Sequence, residues 1–340
     1  MCEKIISHLK RMDAAEHPGK PQRPPASAHL LIDSLDRYEN SNFGSNNQNI
    51  TLLSALAGAD PTASNFTISR NQPLLYGYFT RVAITQVQME YNIPSVLEQF
   101  NNTLYIQYTQ GANVNVPITV TLSAGWYNNV ELADELQTQI RAALAAAGVT
   151  NNGFTVTFGR PNYTFTFDTN NADLFGFTVV PTANVVNQTL YLKTLQLIGI
   201  TTTQTLPSIV SAPTVSTITA NRAPRLLFTQ YVDIISRNLT KYQRVKDTDT
   251  AAVNNKSFII ARVYLVPPNT AAFVDASGNS LGSRPFTICV DYNTPKHIKW
   301  SPNEAIHELD FQLLDEYGDE LPWDTFYPTE FQLTMLATET

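Results

Sequence analysis

A succession of short β-branched and aromatic stretches runs through this chain, most of them closed by Pro, Asn, Asp or Gly. FTISRN, YGYFTRVAITQVQMEY, NTLYIQYT, NVPITVTL, GFTVTF and YTFTFD come first; YVDIIS, SFIIARVYLV, RPFTICVDY, HIKW, HELDFQLL and FQLTML follow later. Such side chains fit a pleated, half-buried surface, and the turn residues between them end most runs. About eleven strands at this spacing predict a sandwich or barrel rather than βαβ units. Phe165 and Phe167 alternate with Thr164 and Thr166, the period of a half-buried strand. Between Arg81 and Met89 neither face is clean. Arg81 and Thr85 share one with Ala83, Val87 and Met89, while Gln86 and Gln88 share the other with Val82 and Ile84. That strand is expected to be central or to change environment along its length.

One helix stands out over residues 130–146, where Leu132, Leu136, Ile140, Ala143 and Leu144 recur at helical spacing. Asn128 or Asn129 suits its N-cap, Asp134 and Glu135 lie early, Arg141 lies late, and Gly148 stands just past its end. A single helix among many strands predicts an all-β domain with a helical elaboration. The Asn-, Ser- and Asp-rich chain from Leu30 to Pro61 reads as turn and loop. Residues 178–224 are rich in Thr, Val and Pro, lack a sustained period and read as a long loop or extended arm. LDFQLLDEYGDEL reads as strand, tight turn and strand, with Gly318 free to take positive φ.

Residues 1–29 differ from the rest. Ile5, Leu9 and Met12 would line a short helix, and PGKPQRPP after it is a stiff extended tether. Five basic residues against three acidic make this segment +2, within a chain of net charge −7. It is either an arm that docks on a partner or touches nucleic acid, or a disordered tail. An overall acidic balance does not suit a sequence-nonspecific nucleic-acid binder. No apolar run approaches the roughly 18 residues of a membrane span, and MCEKIISHLKRM lacks the apolar core of a signal peptide.

Chemistry is hard to assemble from the remainder. Of five histidines, only His297 and His307 lie in the β region, and they form no His-x-His pair. A cupin-like metal site or a Ser-His-Asp base is therefore poorly supplied, and no G-x-S-x-G elbow or phosphate loop accompanies them. The two cysteines are Cys2 and Cys289. Cys289 alternates within FTICVD and is expected to be a buried small hydrophobe. Glu308, Asp310, Asp315, Glu316, Asp319 and Glu320 offer oxygens for Ca²⁺, although alternation turns Asp310 away from Leu309 and Phe311. A solvated hairpin tip or an inter-subunit salt bridge is the plainer expectation. Arg222, Arg225, Arg237, Lys241, Arg244 and Lys246 make the one basic-leaning stretch, interrupted by Asp233, Asp247 and Asp249. No metal, cofactor or catalytic residue is assigned.

Several segments together resemble the penton and minor capsid proteins of virophages and related large icosahedral DNA viruses. ITVTLSAGWYNNVELADELQTQI resembles their strand, glycine-aromatic turn and leucine-rich helix; GFTVTFGRPNYTFTFD resembles the hairpin that follows, and LFGF or LIGI its short glycine segment. YVDIISRNLTKYQRV, SFIIARVYLV and PKHIKWSPNEAIHELDFQLLDEYGDELPW resemble later core strands. The resemblance implies an all-β, single jelly-roll β-sandwich with an inserted α/β subdomain and an extended N-terminal arm. The divisions expected are 1–29 for the arm, 30–100 with 225–340 for the jelly roll, and 101–224 for the insertion. It implies a virion protein made in the host cytoplasm, a homopentamer at the five-fold vertex without a membrane span. Its partners would be a double jelly-roll major capsid protein and other minor capsid proteins, with the arm reaching genome or internal proteins. Residue roles are then structural. Trp126 and Tyr127 would fix the turn into the helix, and Leu132, Leu136 and Ile140 would seat it. Leu309, Phe311 and Leu313 would face the core, Trp300 and Trp323 would lie near its edges, and Gly318 would make the turn. Residues 201–224 would contact a neighbouring subunit. Two other readings stand beside this one. The first is a carbohydrate- or receptor-binding β-domain of a virion spike or fibre, with Trp126 and Tyr127 as its platform; the second is a metal-dependent jelly-roll enzyme.

Overall fold

The computed structural model describes residues 27–35, 64–69, 73–75, 79–110, 113–149, 153–159, 162–169, 176–179, 188–200, 217–241, 258–266, 285–299, 305–322 and 329–339. Eight of its strand positions make two facing antiparallel sheets. The first sheet runs β1 (Ser27–Asp33), β15 (Phe331–Thr338), β3 (Arg81–Tyr91) and β12 (Phe286–Asp291). A further short strand, β13 (His297–Lys299), continues β12 along the same edge of β3. The second sheet runs β2 (Asn65–Ser69), β14 (Glu308–Leu314), β10 (Tyr231–Ile235) and β11 (Ile259–Tyr264). The first strand lies beside the last, and the chain crosses repeatedly between the sheets. That order is a jelly roll. Its interior is built from alternating residues of both sheets, among them Ile32, Val82, Val232, Val263, Leu309, Phe311, Leu313 and Leu333.

The uneven faces of β3 have a local cause. Thr334 pairs with Gln86 and Met335 with Ile84, so Thr85 is an extra residue in the ladder. Such a bulge shifts side-chain parity by one. Val82 and Ile84 point into the core before it, and Val87, Met89 and Tyr91 after it. The Thr85 hydroxyl donates to the Thr334 carbonyl at 3.1 Å, and the Tyr292 N–H donates to the Thr85 carbonyl at 2.9 Å, which steadies the irregular point.

Between β3 and β10 the chain builds a second core. β4 (Thr103–Gln110) lies between β5 (Asn113–Thr121) and β8 (Gly176–Val179), and β7 (Thr164–Asp168) between β6 (Thr155–Gly159) and β9 (Thr217–Thr219). Helix α1 (Asn129–Ala146) covers them with Leu132, Ala133, Leu136, Ile140 and Leu144, all buried. Asn128 caps it. The Asn128 side chain accepts from the N–H groups of Val130 and Glu131, and the Glu131 carboxylate accepts from Asn128 N–H at 2.8 Å. Its far end closes with Val149 N–H on the Leu144 carbonyl at 3.0 Å, around Gly148 at φ +82°.

Three segments differ from the sequence-based expectation. Residues 27–33 are not arm and loop but an edge strand, held by a seven-residue register with β15 far along the chain. Within 178–224, read as unpatterned, Gln188–Leu197 forms α2 and Thr217–Thr219 a strand. Thr189, Tyr191 and Thr194 are weak helix formers, so α2 depends on packing. Tyr191 meets Tyr105 edge-on at 5.2 Å, and Leu195 and Leu197 join the second core. After Gly318 the chain makes a single bridge, Leu314 to Glu320, in place of a full second strand.

Candidate functional site at the joint between the two cores

The most developed polar constellation in the described residues lies where the inserted core meets the jelly roll. α2 turns Lys193 towards the end of β14, where its ammonium bonds the Asp315 carboxylate. The two side chains are 5% and 0% exposed. The same ammonium stands 3.8 Å from the centroid of the Phe228 ring and 5.6 Å from that of Tyr317. The other Asp315 oxygen accepts from the N–H groups of Tyr317 and Asp319, both at 2.9 Å. Gly318, at φ +85°, lets the turn curl around that carboxylate. Asp315 is thus satisfied on both oxygens, as burial demands.

A second pair lies alongside. Arg225 bonds Glu316, whose carboxylate also accepts from Gln230 N–H at 3.0 Å. Arg225 donates to the Gln196 side chain at 3.1 Å, and Gln196 donates to the Tyr317 hydroxyl at 2.6 Å. α2, the strand-to-strand connection at Arg225 and the turn after β14 therefore share one hydrogen-bonded network. Beneath it the buried Tyr91 hydroxyl accepts from Phe228 N–H at 3.2 Å, and burial pushes its ionisation well above the ordinary phenol range. Trp126 and Tyr127 add a covalent staple: these adjacent half-buried rings pack against the jelly-roll core and the inserted core respectively. Tyr127 N–H donates to the Ser95 hydroxyl at 3.3 Å, and its own hydroxyl donates to the Ser123 carbonyl at 2.9 Å.

The acidic stretch 308–320 is a solvated hairpin tip only in part: Glu308, Asp319 and Glu320 are exposed, whereas Asp315 is buried. Besides Asp315 and Glu316, Asp310 accepts from the Ser236 hydroxyl and from the N–H groups of Arg237 and Asn238 at the start of α3 (Arg237–Thr240). Glu320 accepts from Ser64, Asn65 and Gln312. Among the described residues no three His, Cys, Asp or Glu side chains converge as metal ligands. His297 and His307 are both exposed. Cys289 is exposed as well, against expectation, because its alternating strand is the rim of the first sheet and turns that side outward. Of the other residues singled out by sequence, Leu132, Leu136, Ile140, Leu309, Phe311 and Leu313 are buried. Trp300, Trp323, Arg244, Lys246, residues 1–26 and residues 201–216 lie outside the described residues.

Sequence reasoning missed Lys193. Its signal was a lone lysine among Leu and Ile in TLYLKTLQLIGI, on no recognised helix face. What the joint can do is hold two cores in one orientation, since the charged groups described there are spent on one another and on backbone N–H groups.

No family model matches the chain, and no curated protein sequence matches it. Among solved structures, the crystal structure of the selenomethionine-labelled mavirus penton protein is similar over 93% of this chain and 99% of that one, with a TM-score of 0.48 and 11% sequence identity.

Proposed function

We propose that this chain is a structural protein of an icosahedral virion, and that five copies close a ring at the five-fold vertex. The observation that carries the proposal is a jelly roll tied to its insertion by a buried hydrogen-bonded and ion-paired network. Capsid, lectin and cupin domains all use jelly rolls. A cupin site needs converging ligands, and among the described residues none converge; Trp126 and Tyr127, the rings expected to form a sugar platform, pack instead against the two cores. The polar groups Lys193, Asp315, Arg225 and Glu316 are engaged within the chain, which suits a rigid body pre-organised for assembly.

In this reading residues 27–100 and 225–340, with β1 included, form the wall of the ring, and residues 101–224 form a second domain carried on it. The neighbours are a double jelly-roll major capsid protein and other minor capsid proteins, and the arm, which ends where β1 begins at Ser27, reaches inward to genome or internal proteins. The test is the mass of the native protein by light scattering coupled to size exclusion, across salt and concentration. A species near five times 37.8 kDa supports the vertex ring. A stable dimer or trimer counts against it and favours a spike, fibre or other shell component.

A further inference from the structure

We propose that the open edge beside β11 is a socket for the β1 edge of a second copy of this chain. The contact deepens the ring reading above and rests on it. β12 leaves β3 at Asp291, β13 rejoins it at His297, and the connecting residues cross the rim of β11. Tyr292 donates to the Arg262 carbonyl and Lys296 to the Ile259 carbonyl, both at 2.7 Å, so two rim carbonyls of β11 are already engaged. What stays open is a side-chain slot. It has a volume of about 260 Å³ and is lined by the aliphatic Ile84, Ile259, Ile260 and Ala261, with Arg262, Tyr292, Thr294 and Lys296 supplying its polar atoms. That volume lies below the roughly 300–1,000 Å³ of small-molecule pockets and matches one or two aliphatic side chains. Partial burial lowers the proton affinity of Lys296, so this ammonium gains from a carboxylate brought beside it. Asp291 does not fill that role, because it stands on the other face of its strand and accepts from Gln86 at 2.8 Å.

The complementary ridge is on the opposite edge of the same molecule. β1 is the far rim of the first sheet, and it exposes Leu31 at 63% and, just beyond the strand, Leu35 at 54%. Asp33 shares the outward face with Leu31, and its carboxylate receives Leu35 N–H at 2.9 Å and the Gln332 amide at 2.7 Å. A ridge of leucine, carboxylate and leucine therefore meets a slot lined by isoleucines and an ammonium. Ridge and slot lie on different surfaces, so the contact is heterologous and propagates from copy to copy, as ring closure requires.

Two surface variants test this. Leu31→Glu disables the ridge and Lys296→Glu the socket, and each is expected to raise the concentration for half-assembly by about 30-fold. An equimolar mixture keeps one good ridge and one good socket, so it is expected to form a species near twice 37.8 kDa and nothing larger. Should both variants assemble like the parent, the socket is wrong while the ring stands. A second measurement covers a parent protein that stays monomeric. In a background with Cys2 and Cys289 changed to Ser, Leu31→Cys chains mixed at high concentration with Thr294→Cys chains are oxidised. Disulfide between unlike chains, and none between two Leu31→Cys chains, supports the contact even though the free ring fails. No cross-link from a monomeric parent overturns the socket.

Discussion

Lys193 carries a charge into a place where an unpaired charge is expensive, and its partners decide what each substitution does. Lys193→Met leaves the Asp315 carboxylate buried with only two backbone N–H donors. The expected loss is about 3–5 kcal/mol, read from the denaturant midpoint. Lys193→Met combined with Asp315→Asn is expected to cost clearly less than the sum of the single changes, because the amide oxygen still accepts from the turn and no net charge remains buried. Strict additivity in that cycle would mean that the pair is uncoupled. The buried phenols make a pH prediction. Burial holds the ionisation of Tyr91, Tyr191 and Tyr292 above the ordinary phenol value of about 10, with Tyr292 pushed up to about 12. Above pH 10 the unfolded chain releases these protons while the folded chain keeps them, so stability falls as pH rises. Their contribution is whole below pH 10 and is lost through about pH 12 and beyond, for Tyr292 by its own ionisation. Tyrosinate absorbance in the native protein should lag behind that of the denatured protein over the same interval. A denaturant midpoint that stays flat across it would contradict the assignment.

Two helix ends built alike should answer differently to the same substitution. Gly148 and Gly199 both take positive φ where a helix stops, with Ile200 N–H on the Leu195 carbonyl repeating at α2 the closure seen at α1. A Cβ on Gly148 meets nothing within 4 Å, so Gly148→Ala is expected to cost only the left-handed strain of about 1–2 kcal/mol. On Gly199 a Cβ would lie 2.2 Å from the Arg222 carbonyl oxygen. Gly199→Ala must therefore displace the backbone leading to Arg225, and its thermal midpoint should fall well below that of Gly148→Ala. Asn128→Ala removes the acceptor for two N–H groups and should cost about 1 kcal/mol. This contrast also shows what the sequence can disclose. α1 carries its own cap, amphipathic period and stop within about twenty consecutive residues, so local pattern suffices. α2 and β1 do not, since their stability comes from Tyr105, from the joint and from β15. Alternation in β12 separates two faces without saying which is inside, and so Cys289 was placed on the wrong one. In β3 the pattern was visible as a conflict between faces, and only the partner strand reveals the extra residue at Thr85. The joint was the least legible part, because Lys193 and Asp315 stand 122 residues apart and each looks like ordinary surface charge.

For the whole molecule, the question is whether two cores behave as one. The inserted core has its own buried set, including Leu104, Phe154, Phe165, Phe167 and Leu195, and a core of that kind could unfold by itself. Its coupling to the jelly roll runs through the chain connections, the Trp126–Tyr127 staple and the network of Lys193, Asp315, Arg225 and Glu316. The paired charges make the joint sensitive to substitution, because removing one partner leaves the other charge buried without compensation. The native protein is accordingly expected to show one calorimetric transition, with calorimetric and van't Hoff enthalpies in agreement. Lys193→Met together with Arg225→Met should weaken the joint while leaving the interior of each core intact. The expected result is two resolved transitions, the first removing the near-ultraviolet signal of the less stable core. If the unaltered protein already melts in two steps, the joint only orients the cores and does not make them a single cooperative unit. The jelly roll alone would then be the rigid body that assembles.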